Sequence, residues 1–310
     1  MKGAKTKDDD FIIIFEHLGG ITEEKQWADY RLSEGKGIML WNKQTDPYNQ
    51  STMGYSENSN INGASYKQKG FSNPAAVTYM ESHDEERLMF KNLAYGNSDG
   101  SYDVTDLSTA LDRMETAGAF FFTVPGPKMI WQFGELGYDT SIFTCTDGTI
   151  PNDDSCKLSE KPDGWDFLTE TDRTDLYDAY AQMIALKKSN EIFATGSIDM
   201  NVGNSNGLKS IHLENTSATE TELQYVTIIG NFGVTTQSID PAFQETGTWY
   251  ILSTNNRVTD KLTINAQTQL RYFELASEIQ QFKIRVGATY NFNSTIGVTG
   301  GYAYFRNDFS

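Results

Sequence analysis

The 310-residue sequence predicts an α/β fold: part of a (β/α)8 TIM barrel, then a small all-β sandwich and a three-stranded antiparallel fragment. Short apolar segments alternate with amphipathic helices over the first 194 residues, and polar residues directly follow the apolar segments. Alternating strand patterns replace both features from about residue 195. The predicted domains are therefore residues 1–194, 195–248 and 249–310.

Four short apolar segments predict the strands of the first domain. Continuous apolar runs of this length are typical of strands buried on both faces, as parallel sheets require. A complete barrel needs eight strands and about 250 residues, so we expect about half a barrel and a chain that begins in mid-fold. The predicted strands cover residues 11–15, 37–41, 75–80 and 128–133.

Three segments, residues 22–32, 105–123 and 172–188, predict helices. The second is the clearest, because Leu107, Leu111 and Met114 recur at helical spacing. In the first, Thr22 is the predicted N-cap because two glutamates follow it.

Antiparallel strands are predicted after these helices. Residues 208–213, 223–230 and 234–239 alternate as strands of a small β domain. Residues 262–272, 282–292 and 296–304 alternate more strictly and carry aromatic residues at their ends. Outer-membrane barrel strands have this pattern, and so do soluble antiparallel sheets, which alternation alone favours. Three strands are too few to close a barrel.

The composition limits the possible partners. A formal net charge of −17 disfavours nucleic acid and anionic membrane surfaces, whereas a neutral or cationic ligand fits better. Aromatic residues make up 13% of the chain, and their flat faces suit sugar rings as well as protein cores. No apolar run is long enough for a membrane-spanning helix, and no signal peptide is visible.

A loop-like stretch contains both cysteines. Cys145 and Cys156 are eleven positions apart, which fits a local disulfide in an oxidising compartment and equally fits two reduced thiols. The carboxylates between Asp147 and Asp154 could chelate calcium, but their spacing fits no EF-hand loop and favours a solvated turn.

Two carboxylates at strand ends are candidate catalytic groups. Cleaving a glycosidic bond with retention needs two carboxyl groups about 5 to 5.5 Å apart. Glu16 and Asp84 follow separate predicted strands, whose carboxyl ends meet on one rim of a barrel. Glu16 follows five large apolar residues, so we expect it to be partly desolvated and suited to proton donation. Each is also compatible with an ordinary solvated strand end.

Three further side chains are candidates for sugar binding. His83 could donate a hydrogen bond to a sugar hydroxyl, and Trp41 or Trp131 could offer a stacking face. A structural histidine and two core tryptophans are the competing interpretations.

Residues 10–248 resemble the α-amylase family, glycoside hydrolase family 13. The resemblance lies in Phe-Ile-Ile-Ile-Phe-Glu-His at 11–17 and Tyr-Met-Glu-Ser-His-Asp-Glu at 79–85. Supporting segments are residues 37–42, 126–138 and 228–234. The resemblance implies the last four β/α units of the catalytic barrel, followed by the C-terminal β domain.

The resemblance also implies roles. Glu16 would be the general acid/base and Asp84 the carboxylate that stabilises the transition state. The implied substrate-binding residues are His17, His83, Trp41 and Trp131. The implied reaction is retaining hydrolysis of α-1,4-glucans by a secreted or cell-surface protein; no cofactor is certain, although calcium is possible in the family.

The family's nucleophile is missing from the expected place. In the family, a nucleophilic aspartate follows an arginine by two positions on an earlier strand, and no such strand precedes Phe11. Arg173 and Asp175 have the spacing but open a predicted helix, so we reject them as a replacement. Without a nucleophile Glu16 has no covalent intermediate to serve, which leaves a catalytically silent carbohydrate-binding fragment as the alternative function.

Residues 249–310 resemble a different family, an uncharacterised outer-membrane β-barrel type. The matching segments are Asn255–Arg257 and Gly300–Asn307, and the join between the two resemblances falls near residues 247–250. Any membrane contact is expected only through this fragment, which gives a third alternative, an outer-membrane structural fragment.

Overall fold

The computed structural model describes residues 12–17, 19–35, 37–204, 207–219, 222–237, 248–257, 259, 261–273, 278–291 and 297–307. Two compact units make up the chain, residues 1–236 and 237–310. The predicted domain boundaries at 194 and 248 stay predictions. Within the described residues, none of the helices combines the length and apolar character that a membrane span requires.

A four-stranded parallel sheet forms the centre of the first unit. Its strands are β1 (Ile14–Phe15), β2 (Met39–Lys43), β3 (Ala76–Tyr79) and β6 (Lys128–Met129), in the spatial order β1-β2-β3-β6. A small hairpin of β4 (Ser98–Asp99) and β5 (Tyr102–Asp103) lies between β3 and β6 in the sequence.

The parallel sheet was predicted, and it is confirmed. β3 is buried along its whole length, as predicted. The prediction is wrong for β1, which is half-buried because it lies at the edge of the sheet. The described residues contain no closed barrel, so the partial barrel stays a prediction.

Six α-helices are described in the first unit. The three predicted helices are present with shifted ends, but the Thr22 cap is wrong, because the first helix has Gly20 at its N-cap. The second, third and sixth helices were not predicted. The helices are α1 (Ile21–Ala28), α2 (Thr45–Met53), α3 (Leu88–Tyr95), α4 (Leu107–Phe122), α5 (Thr171–Ser189) and α6 (Ile192–Thr195).

The long helix α4 lies in the core. All its residues from Met114 to Phe122 are buried, and it packs against α2, α3 and α5. Helix α5 turns Leu176, Ala179 and Met183 toward the core at the spacing of one helical face. The two helices approach closely at Gly118, where an added Cβ would lie 2.6 Å from the Tyr180 ring.

A three-stranded antiparallel sheet completes the first unit. It contains β7 (Ser197–Asn201), β8 (Leu208–Glu214) and β9 (Tyr225–Asn231) in sequence order. The strand predicted over 234–239 is wrong in its described part, because residues 234–237 form no strand; residues 238–239 lie outside the described residues. The described part of the predicted sandwich is therefore a single sheet.

Four antiparallel strands form the second unit. They are β10 (Thr248–Arg257), β11 (Leu262–Phe273), β12 (Glu278–Asn291) and β13 (Gly297–Asn307), each paired with the next. The prediction of three strands is wrong because β10 is polar near its end, at Thr254–Arg257, and lacks the strict alternation of the others.

Candidate functional site

The carboxyl ends of the four parallel strands lead into polar or aromatic residues. Glu16 follows β1, Lys43 ends β2, Glu81 comes two residues after β3, and Trp131 comes two residues after β6. Because the strands are parallel, these residues leave the sheet at the same edge.

Tyr79, the last residue of β3, packs against the neighbouring strand β2. Its ring packs edge-on against Trp41, with the centroids 5.9 Å apart. The pKa of Tyr79 is raised to about 12, first by burial and then by the negative charges of Glu85, Glu16 and Asp84.

Asp84 and His83 form the exposed part of the site. The His83 Nε2 lies 3.2 Å from the Asp84 Oδ2, and the two side chains are 60% and 47% exposed. The backbone N–H of Asp84 donates to the Ser82 hydroxyl at 3.2 Å. The imidazole also lies beside the Trp131 indole, with 5.8 Å between ring centroids. A carboxylate, an imidazole and an indole therefore lie together where a ligand can reach them.

Glu16 is exposed, so the expected partial desolvation is wrong. Residues Ile13 to Phe15 are only half-buried and give it little apolar cover. The neighbouring His17 interacts within its own segment: its Nδ1 accepts the backbone N–H of Gly19 at 3.2 Å, and its Nε2 lies 3.4 Å from the Glu23 Oε1. The substrate-binding role of His17 stays a prediction.

A buried ion pair supports the aromatic side of the site. The Arg87 Nη1 lies 3.7 Å from the Glu81 Oε2, and both side chains are almost fully buried. Leu88 donates its backbone N–H to the Glu81 Oε1 at 2.7 Å. The guanidinium lies 6.0 Å from the Trp131 ring centroid and 4.9 Å from that of Tyr138. Burial raises the pKa of Glu81 and lowers the pKa of Arg87, and each partner's charge opposes the change.

Glu85 and Lys43 form a second pair at the same edge, which sequence reasoning missed. The Lys43 Nζ lies 3.4 Å from the Glu85 Oε1, and the Ser82 hydroxyl donates to the other Glu85 oxygen. The sequence indicated Glu85, which lies in the segment 79–85, but not Lys43, because the predicted strand ended at residue 41 and β2 continues to Lys43. Tyr79 and Arg87 were missed because their interactions depend on tertiary packing.

Arg173 and Asp175, which have the spacing of the family's nucleophile motif, both lie on helix α5. Arg173 is buried on α5, where its guanidinium donates to the carboxylates of Asp139 and Glu170 at 2.8 and 2.9 Å. Asp175 is exposed on the same helix. Neither residue lies on a strand of the parallel sheet.

The two cysteines form a disulfide, with their Cα atoms 4.9 Å apart. The segment that precedes this loop is attached to the candidate site through Glu86. The Glu86 carboxylate accepts the Ser141 hydroxyl and the Ile142 backbone N–H, both at 2.8 Å. The loop and the residues after β3 therefore support each other.

The acidic residues inside this loop form hydrogen bonds within the loop itself. Asp147 accepts the backbone N–H and the hydroxyl of Thr149, and Asp153 accepts the backbone N–H of Ser155. Such bonds two residues along the chain are those of turns. Over the part of the chain that is described, no three His, Cys, Asp or Glu residues are grouped to hold a metal ion.

One family model matches part of the sequence. It is described as "Protein of unknown function (DUF2490)" and matches residues 246–310. That description names no function, so the outer-membrane resemblance of this segment stays a prediction. No curated protein matches the chain.

Solved structures resemble the fold. One is a product complex of SpuA, a multi-modular glycogen-degrading pneumococcal virulence factor, with a TM-score of 0.52 and 13% identity over 74% of this chain. Another is the trehalose-6-phosphate hydrolase TreA of Bacillus licheniformis, with a TM-score of 0.48 and 11% identity over 98% of this chain. The chain spans 30% of the SpuA chain and 57% of the TreA chain. At this identity the SpuA match bears on the fold alone, and the partial barrel stays a prediction.

Proposed function

We propose that the chain carries the acid/base part of an α-amylase-type glycoside hydrolase site for α-1,4-glucans such as starch. Glu16 is the proposed general acid/base, and Asp84 is the proposed transition-state stabiliser. The observation that carries the proposal is that Glu16 follows β1 and Asp84 follows β3, two strands of one parallel sheet whose carboxyl ends lie at the same edge. The sequence resemblance of both segments to the family supports the same roles.

The chemistry follows from the surroundings of each group. Glu16 is exposed and so can reach a leaving glycosidic oxygen, to which it would donate a proton. The negative charge of Asp84 would stabilise the positive charge that develops on the sugar ring. His83 would donate to a sugar hydroxyl, and the Trp131 face would pack against the ring.

The covalent nucleophile is not assigned to a described residue at this edge. Glu81 is buried against Arg87, and Glu85 is paired with Lys43. These pairings argue that both carboxylates support the site instead of attacking the anomeric carbon. The proposal therefore covers proton transfer, charge stabilisation and binding.

The substrate class rests on two supports besides the sequence resemblance. SpuA is described as glycogen-degrading, and glycogen is an α-glucan. The formal charge of −17 also fits an uncharged polysaccharide better than a polyanion.

Maltotriose binding, measured by isothermal titration calorimetry, tests the site. We expect wild type to bind and Trp131→Ala to bind about fivefold more weakly, because the lost aromatic face contributes about 1 kcal/mol. The control is Tyr95→Ala, which removes a 56%-exposed aromatic side chain on α3 and should leave affinity unchanged. Wild type without measurable binding would refute the proposal.

We also propose a secreted or cell-surface location, which the disulfide between Cys145 and Cys156 supports because such bonds persist in oxidising compartments. Protein isolated from its source without reductant should show no thiol alkylation. Two alkylated cysteines would contradict this location.

A further inference from the structure

Trp165 is an exposed aromatic side chain that the proposed reaction does not use. It begins a short 3-10 helix, Trp165–Thr169, and is 64% exposed. Its ring meets Phe133 edge-on, with the centroids 5.0 Å apart. A tryptophan held on one side and open on the other is suited to bind an apolar face of a ligand.

The residue that holds Trp165 has a rare backbone conformation. Phe133 has φ +60°, in the left-handed region that bulky residues seldom adopt. Its carbonyl accepts the backbone N–H of Leu136 and of Tyr138 at 3.0 and 3.1 Å, which fixes this turn. Gly164 allows the segment before Trp165 to approach this turn closely, because an added Cβ would lie 3.1 Å from the Phe133 ring and 3.1 Å from the Tyr138 ring. Strained backbone of this kind is concentrated at functional sites.

A row of neighbouring side chains, which passes through the buried Arg87 and Tyr138, connects Trp165 to the candidate site. Each group lies within 6.0 Å of the next, measured between ring centroids or from the guanidinium carbon to a centroid. In order, the row contains His83, Trp131, Arg87, Tyr138, Phe133 and Trp165. The exposed ends of the row are the imidazole at the candidate site and the Trp165 indole.

The surroundings of Trp165 favour an uncharged, hydroxyl-bearing ligand. Asp163 and Asp166 flank it and are exposed, so they can accept hydrogen bonds from hydroxyl groups and would repel anions. The Asp163 Oδ1 accepts the backbone N–H of Trp165 at 3.4 Å, which holds this carboxylate at the start of the 3-10 helix.

We propose that Trp165, held by Phe133, is an additional sugar-binding subsite for the more distant residues of an α-glucan chain whose end occupies the candidate site. The inference rests on the proposed function. It adds that the protein prefers long α-glucans over short ones, because a short oligosaccharide cannot reach both aromatic platforms.

The test compares maltotriose and maltoheptaose by isothermal titration calorimetry on the full chain. We expect wild type to bind maltoheptaose more tightly. Trp165→Ala should weaken maltoheptaose binding about tenfold and change maltotriose binding less than twofold. Trp165→Phe should keep most of the affinity, because it retains an aromatic face. Tyr95→Ala, the matched exposed control on α3, should bind both sugars like wild type.

The outcomes separate this inference from the proposed function. If maltotriose binds and Trp131→Ala weakens it, while Trp165→Ala binds maltoheptaose like wild type, the subsite is refuted and the site stands. If wild type binds neither sugar, both are refuted. Equal weakening of both sugars by Trp165→Ala would also overturn the subsite, because it would show a general effect on the site.

Discussion

Replacing Arg113 with methionine should destabilise the first unit more than any surface change. Arg113 lies on α4 and is 2% exposed. Its guanidinium donates to backbone carbonyls on both sides of the helix and to one hydroxyl. The acceptors are the carbonyls of Ser51, Thr52, Phe232 and Gly233 and the Tyr102 hydroxyl. One side chain therefore joins the end of α2 to the segment after β9.

The expected loss of unfolding free energy follows from the carbonyl groups that would lose their hydrogen-bond donor. Methionine keeps much of the length of Arg113 but donates no hydrogen bond, so four backbone carbonyls lose a charged donor. One hydrogen bond to a charged group contributes about 1.5–3 kcal/mol, and such bonds are not additive when they share a donor. We therefore expect a loss of about 4 kcal/mol. For a unit of this size that is a fall of roughly 8–16 °C in Tm.

Differential scanning calorimetry measures this effect, with Arg113→Lys as the control. Lysine keeps the positive charge and has three N–H donors where arginine has five, so its loss should be intermediate. A loss below about 1 kcal/mol for Arg113→Met would refute the reasoning. It would mean that the carbonyls find other partners and that Arg113 does not join the two segments.

Three further predictions concern pH, the disulfide and helix packing. Burial lowers the pKa of Lys209 to about 8, so the folded protein loses this proton between about pH 8 and 10.5 while the unfolded chain keeps it. Stability in urea should thus rise with pH through this window by up to about 3 kcal/mol, and Lys209→Met should reduce the rise. Replacing Cys145 and Cys156 with serine should cost about 3 kcal/mol in the same assay if loop entropy dominates, and no change would contradict this. Gly118→Ala should destabilise α4 by about 1–3 kcal/mol despite alanine's helix propensity, because the new Cβ meets the Tyr180 ring; a gain in Tm would contradict the close approach.

The sequence predicted helices and strands where an apolar pattern produced them. The buried residues of α5 recur at helical spacing, so the pattern is visible in the sequence. Helix α2 was not predictable in this way, because much of its buried face is polar: Thr45, Asn49, Ser51 and Thr52.

The candidate site was predictable only in outline. The rule that polar residues follow parallel strands identified Glu16 and Asp84, but the exposure of Glu16 depends on the position of β1 at the sheet edge. The other residues of the site could not be predicted, because their roles depend on tertiary contacts. Arg113 illustrates the same point outside the site, because its four main-chain carbonyl acceptors lie 61 or more positions away and leave no trace in side-chain patterns.

Fluoride release from β-maltosyl fluoride tests the assignment of Glu16 most directly. This compound presents the anomeric configuration of a retaining enzyme's intermediate, so it needs no nucleophile from the protein. Water would attack the anomeric carbon, fluoride would leave with the bonding electrons, and Glu16 would take the proton from water. We predict fluoride release by wild type, reduced at least about 100-fold in Glu16→Gln and unchanged in Tyr95→Ala. Equal release by wild type and Glu16→Gln, or none above the uncatalysed rate, would contradict the proposed role of Glu16.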